Sequence, residues 1–136
     1  MANDIYPSFK EWMADGTLDL DNDSFKIMLL DDSHAFNAAH DLIADISGNE
    51  ISGTGYSAGG ASLASVTWVR AADVVTFDAA NPTWTTATFS AWFAVIYDDT
   101  VADDPLVCQI DFGGEQSVTA GTFTIQFNAS GIITLT

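Results

Sequence analysis

Residues 89–98 constrain the fold more than any other part of the chain. These ten residues contain no glycine or proline and are dominated by aromatic and β-branched types. Such a composition suits a β-strand. Side chains alternate across a strand, so Phe89, Ala91, Phe93, Val95 and Tyr97 are expected on one face. Ser90, Trp92, Ala94, Ile96 and Asp98 are expected on the other. Neither face is polar, so the strand needs cover on both sides. One cover is the domain core. The other is a helix of the same chain or a second subunit.

A helix is available near the start. Ser8 with Glu11 three residues later fits a capping box, with Ser8 as N-cap. Phe9, Trp12 and Met13 then share one helical face, and Gly16 can end the helix in the left-handed conformation. Two turns are not stable alone. This helix therefore docks by its aromatic stripe, within its own chain as the first expectation and onto a neighbour as the second.

The rest of the chain reads mostly as short strands. Residues 24–30 alternate Phe25, Ile27 and Leu29 with Lys26, Met28 and Leu30, the pattern of an interior strand. Ala39, Leu42, Ile43 and Ile46 have helical spacing, so a second short helix is expected over 38–46, stopped by Ser47 and Gly48. Five glycines within residues 48–60 demand an irregular loop, with Tyr56 as its anchor. Residues 61–70 and 73–77 read as strands of a hairpin, and residues 81–84 as a turn leading into the central strand. Residues 98–105 form an acidic loop. Leu106, Cys108, Ile110 and Phe112 alternate with Val107, Gln109 and Asp111. Residues 113–115 read as a turn, and Phe123, Ile125 and Phe127 mark another strand. Asn128 and Gly131 fit the ends of a turn, after which residues 132–135 close the last hairpin.

About seven short strands and two short helices, joined by turns, predict a mainly β fold. The expected architecture is an antiparallel β-sandwich or jelly-roll-like domain with a short N-terminal helix and one further short helix. The 136 residues are the length of one domain, residues 1–136.

Charge narrows the partners. Three Lys plus Arg stand against nineteen Asp plus Glu, a net charge of −16. Phosphate contacts need basic side chains, so nucleic acid and anionic membrane surfaces are poor partners. Basic partner surfaces and divalent cations suit this balance. The first residues show no basic, apolar leader pattern and no apolar run is long enough to span a bilayer, so a soluble protein made in a cytoplasm is expected. One cysteine gives neither an internal disulfide nor a cysteine-rich zinc site.

Motifs for chemistry are weak throughout. Gly53, Gly55 and Gly59 miss the dinucleotide spacing by one, and a strand rather than a helix follows, so a glycine-enabled loop is expected instead. Asp19, Asp21 and Asp23 open like a calcium loop. However, Ser24 stands where glycine is required and Leu30 where glutamate is required. A looser cation site could draw on Asp31, Asp32, Asp98, Asp99, Asp103 or Asp104, but a solvated acidic loop is the commoner use. His34 and His40 lie outside any zinc-protease pattern; local hydrogen bonding suits them better than a role as a general base. Cys108 sits on an inward strand face and reads as a buried, inert thiol. No catalytic residue, metal or cofactor is called. Aromatic side chains Tyr6, Phe9, Trp12, Trp84 and Trp92 are the interface candidates. Trp84, on the expected turn, is the one suited to exposure, where with the 98–104 loop it could hold a sugar.

Several stretches, in order, resemble a family of small acidic structural proteins of tailed bacteriophages. They are Tyr6, Pro7, Phe9 and Lys10; Leu18 and Leu20; residues 26–31; His40 and Asp41; residues 53–56; Gly59 and Gly60; and residues 95–98. The similarity runs nearly end to end. It implies a non-enzymatic virion component, foremost a head decoration (cement) protein on the outer capsid surface. Its implied partners are the major capsid protein or other virion proteins, and copies of itself, with a trimer favoured. A tail-associated protein or carbohydrate-binding module is the alternative. The resemblance implies no catalytic residues.

Overall fold

In the structure, a computed structural model describing residues 2–135, two antiparallel sheets enclose the main core. The strands are β1 (Ala2–Ile5), β2 (Phe25–Leu30), β3 (Ala61–Ser62), β4 (Thr67–Ala71), β5 (Val74–Asp78), β6 (Thr83–Asp98), β7 (Leu106–Thr124) and β8 (Ile133–Leu135), with one helix, α1 (Pro7–Ala14). The first sheet has the order β1-β7-β6-β2-β3 and the second the order β4-β5-β8. The mainly β, sandwich-like fold expected from the sequence is therefore present. Phe25 of β2 meets Phe77 of β5 edge to face at 5.2 Å and links the two sheets.

The strand over residues 89–98 belongs to a longer one, β6, which lies between β7 and β2. Its faces are not the regular alternation. Ala87, Phe89, Ala91, Ala94 and Ile96 enter the core between the sheets, whereas Val95, Tyr97 and Phe93 belong to a second apolar cluster on the outer side. A bulge between Ala91 and Phe93 causes the change. Phe93 pairs with Asp111 and Ala91 with Gln116, so Trp92 alone stands opposite residues 112–115. Extra length on one strand reverses which residues face inward. Gly113 and Gly114 both take positive φ there, at 79° and 155°. The turn expected at 113–115 is thus a bulge inside one continuous strand.

Over residues 93–98 both faces of β6 are covered, the outer one by neither of the two expected covers. The outer cluster joins Tyr6, Met28, Leu30, Val95, Tyr97 and Leu106 to Ile46, with Phe36 and Ile43 packed against it. Residues 31–49 therefore form the second cover. Helix α1 instead sends Phe9 into the main core, with Trp12 and Met13 packed beside it.

The second α-helix does not form; residues 43–45 and 47–49 make single 3₁₀ turns. Backbone bonding explains this. Ile43 N donates to Asp104 O at 3.0 Å and Leu106 N donates to Asp41 O at 2.9 Å. Asp45 Oδ2 accepts from the N–H groups of Asp41 and Leu42. Groups that a helix would use internally are bonded elsewhere.

The N-terminal helix begins two residues earlier than the expected box. Tyr6 is its N-cap without a side-chain bond, and Pro7 takes the first position, where its missing N–H is no loss. Tyr6 N continues the β1 pairing by donating to Val107 O, which fixes where the helix can start. Ser8 Oγ makes no hydrogen bond. The helix ends as expected: Asp15 N donates to Glu11 O, and Gly16 follows at φ 86°.

Three further expectations change. The 61–70 stretch splits into β3 and β4. Residues 83 and 84 are already strand. The last strand, β8, pairs with β5 rather than with β7. The β4–β5 hairpin, the 128–131 turn and the irregular 48–60 segment lie where the sequence puts them.

Candidate interaction surface

Of the five aromatic candidates, three are consumed inside the chain. Tyr6 and Phe9 are 0% and 1% exposed. Trp84, expected in the open, is 6% exposed in β6, stacked on Tyr56 at 6.4 Å and edge-on to Phe123 at 5.9 Å. It is unavailable as a sugar platform, which removes that use of the 98–104 loop. Trp12 is half-buried against the main core. Trp92, half-buried at the bulge, belongs to neither core cluster.

The titratable side chains are built into the fold. His34 Nε2 lies 2.8 Å from Gln109 Oε1, and Gln109 Nε2 donates to Asp4 Oδ2 at 2.9 Å. The amide orientation makes its oxygen an acceptor, so His34 donates from Nε2. Burial holds the His34 imidazole below its ordinary pKa, against the opposing pull of Gln109. Burial pushes the Cys108 thiol up to about 12, which makes it a poor nucleophile. Asp19 closes its own turn, accepting from the N–H groups of Asp21 and Asn22, while Asp23 Oδ2 accepts from Asp19 N. Among the described residues, no group of three His, Cys, Asp or Glu side chains is arranged to hold a metal.

Asp98 is 0% exposed. Its Oδ1 accepts from Thr100 N at 2.8 Å and Val101 N at 3.1 Å, which forms the start of the acidic loop. Its Oδ2 has no hydrogen-bond partner among the described residues. Burial, then the facing Asp23 carboxyl, raise the Asp98 pKa to about 7.

The glycine-rich segment has a structural reason. Tyr56 donates to Glu50 Oε2 and accepts from Leu29 N, while Gly59 N also donates to Glu50 Oε2. A Cβ at Gly60, where φ is 86°, would run into the Ile27 carbonyl oxygen; one at Gly53 would lie 2.6 Å from Thr88 O. The glycines let the loop lie against β2 and β6.

Part of the accessible surface carries no charge. Residues 79–97 and 116–136 contain no Asp, Glu, Lys, Arg or His. Within them, the first half of β6 and the last half of β7 pair as a two-stranded ribbon. Its outer side carries hydroxyls: Ser90 with Ser117 at 2.8 Å, and Thr83 with Thr124 at 3.2 Å. Beside it, a groove of about 880 Å³ runs between β7 and the 125–134 segment, with Phe112, Phe123, Gln116 and Asn128 among its lining. No charged side chain lines it. Asn3 Nδ2 bridges it by donating to Ile132 O at 3.0 Å. The aromatic candidates chosen from the sequence do not mark this surface. The uncharged runs 79–97 and 116–136 do, and residues 51–69, equally free of charge, lie beside them through the Thr54–Thr88 bridge.

No protein-family model matches the chain, and neither a curated protein nor a solved structure matches it.

Proposed function

We propose that this is a non-enzymatic bacteriophage virion protein, a head decoration protein that binds the outer capsid surface as an oligomer after synthesis in the host cytoplasm. One observation supports the reading above the others. The stretches that carry the phage resemblance are scattered in sequence but meet in space. Tyr56 bonds to Leu29, Tyr97 donates to Gly59 O, and Gly60 lies against Ile27. Lys26 pairs with Tyr97 and Met28 with Val95. Tyr6 joins the same cluster as Val95 and Tyr97, while Leu18 and Leu20 pack with Ile27 and Leu29. The motifs form one packed unit, so the resemblance draws on residues that hold the fold together. The acidic remainder of the surface suits basic patches on a capsid lattice.

The test is immunogold labelling of particles of the phage that carries the gene, followed by reconstruction of the labelled particle. Decoration of the head surface at symmetric positions is expected. Label confined to the tail would select the tail-associated alternative, and unlabelled particles would overturn the virion reading.

A further inference from the structure

We propose that Asp23 and Asp98 bind a hard divalent cation of the calcium class between their carboxyl groups, where the start of β2 meets the end of β6. The proposal goes beyond the virion reading and does not depend on it.

The backbone builds the place first. Phe25, the first residue of β2, pairs with Asp98, the last of β6. Just outside that pair the two segments are clasped twice. Asp99 N donates to Ser24 O at 2.8 Å, and Ser24 N donates to Thr100 Oγ1 at 2.7 Å. Asp23 is also held on its own side: its N–H donates to Asp19 O, and its Oδ2 accepts from Asp19 N. The two carboxyl groups therefore face each other from segments whose separation is set by the fold.

Hydrogen bonding then picks out one atom. Asp98 Oδ1 receives two donors, the N–H groups of Thr100 and Val101. Among the described residues Oδ2 receives none, although the side chain is completely buried. A buried carboxylate oxygen without a donor is costly, and a second carboxyl opposite it adds repulsion. A proton relieves this only up to a pH of about 7. A cation between the two carboxylates relieves it above that value as well, and its uptake releases the proton to solvent. Asp23 is only half-buried, which leaves the ion a way in.

Chemistry selects the ion. The pair offers oxygen donors and neither thiolate nor imidazole, which suits hard cations. Among the described residues no third His, Cys, Asp or Glu side chain joins them. The rest of the shell is therefore water and neutral oxygens, which calcium accepts; its weaker sites bind at about 10⁻⁴–10⁻³ M. The surrounding charge favours a cation too. Asp19, Asp21 and Asp99 flank the pair along the chain, and Lys26 is engaged with Asp99 at 4.0 Å.

The experiment is equilibrium dialysis of the full chain against radioactive calcium at about pH 8, paired with unfolding in calcium chloride and in sodium chloride of matched ionic strength. It compares wild type, Asp98→Asn, Asp23→Asn and the control Asp73→Asn, an exposed residue in the β4–β5 turn of the other sheet. Circular dichroism establishes that each is folded; Asp98→Asn keeps the oxygen that Thr100 and Val101 bond. Wild type and Asp73→Asn should bind one ion per chain. Calcium at ten times the dissociation constant should lower their unfolding constant about tenfold. Each of the other two variants should lose at least about tenfold in affinity, because carboxylate count sets calcium affinity. No bound ion in wild type would overturn the proposal. An equal response of folded Asp98→Asn or Asp23→Asn would also overturn it, since calcium would then only screen the general negative charge.

Discussion

Tyr56 and Glu50 close the glycine-rich segment on itself and on the sheet at once. The Tyr56 hydroxyl donates to Glu50 Oε2 at 2.7 Å and accepts from Leu29 N, near the end of β2, at 3.1 Å. Burial, reinforced by the Glu50 carboxylate, raises the phenol pKa above its ordinary value, so it stays a donor at any physiological pH.

Replacing Tyr56 with Phe keeps the ring against Trp84 and Phe89 but leaves the Leu29 N–H without a partner. Removing one member of a buried bond costs about 1–3 kcal/mol. Urea unfolding of Tyr56→Phe should show a loss in that range, with an unchanged slope against denaturant. A variant as stable as wild type would mean that water replaces the hydroxyl and that the loop is not held this way.

Asp98 makes stability fall as pH rises. In the unfolded chain its carboxyl loses a proton near the ordinary 3.8; in the folded chain it holds the proton up to about 7. Between those values the folded state binds more protons, so raising pH favours unfolding. The penalty is absent below about 4, grows through the window and is complete above about 7. Asp98→Asn should remove it, because the amide oxygen still accepts from Thr100 and Val101 while the amide N–H donates to Asp23. The difference in unfolding free energy between variant and wild type should widen from pH 4 to pH 7 by on the order of a few kcal/mol. A constant difference across that range would show that Asp98 is ionised when folded.

The mainly β fold was legible because alternation and turn chemistry are local. Phe25, Ile27 and Leu29 face the main core and Met28 and Leu30 the outer cluster, as their spacing says. What escaped was set by distant partners. Nothing near Trp92 announces a bulge, because the extra length lies in residues 112–115 on the neighbouring strand. The helix expected at 38–46 has adequate spacing, but its backbone is claimed by Asp104 and Leu106. Trp84 resembled an exposed turn residue because of Pro82 beside it, yet Pro82 O accepts from Ile125 N and draws the segment into the sheet. The uncharged ribbon face was missed for another reason. Aromatic side chains attract attention, whereas the signal for this face was the lack of charge over residues 79–97 and 116–136 in a chain of −16.

Gly60 is a position where a single methyl group should be costly. Its φ of 86° is strained for any residue with a Cβ, and the methyl would meet the backbone of Ile27, which cannot move without breaking the β2–β6 pairing. Gly60→Ala is expected to destabilise by more than the roughly 1 kcal/mol typical of a substitution. Gly48→Ala, with open space and no positive φ, should stay within about 0.5 kcal/mol. Thermal unfolding of the pair measures both, and equal midpoints would contradict the close approach of the loop to β2.

Last, His34 should titrate late as pH falls. It is 4% exposed, packs edge-on to Phe93 at 5.0 Å and donates to Gln109, whose amide is turned by Asp4. A charged imidazole would be buried there, so its pKa lies below the ordinary 6.5. The sign for stability follows: this contribution is complete above about 6.5 and is lost as pH falls through that value, because the unfolded histidine takes up its proton first. That is opposite to Asp98, and the two partly cancel between pH 4 and 6.5 in the wild type. Observing the ring protons by NMR separates them. The His34 resonances should titrate with a midpoint below 6.5. A midpoint at or above 6.5 would show that the imidazolium is stabilised, and with it that the chain of hydrogen bonds from Asp4 runs through a different donor.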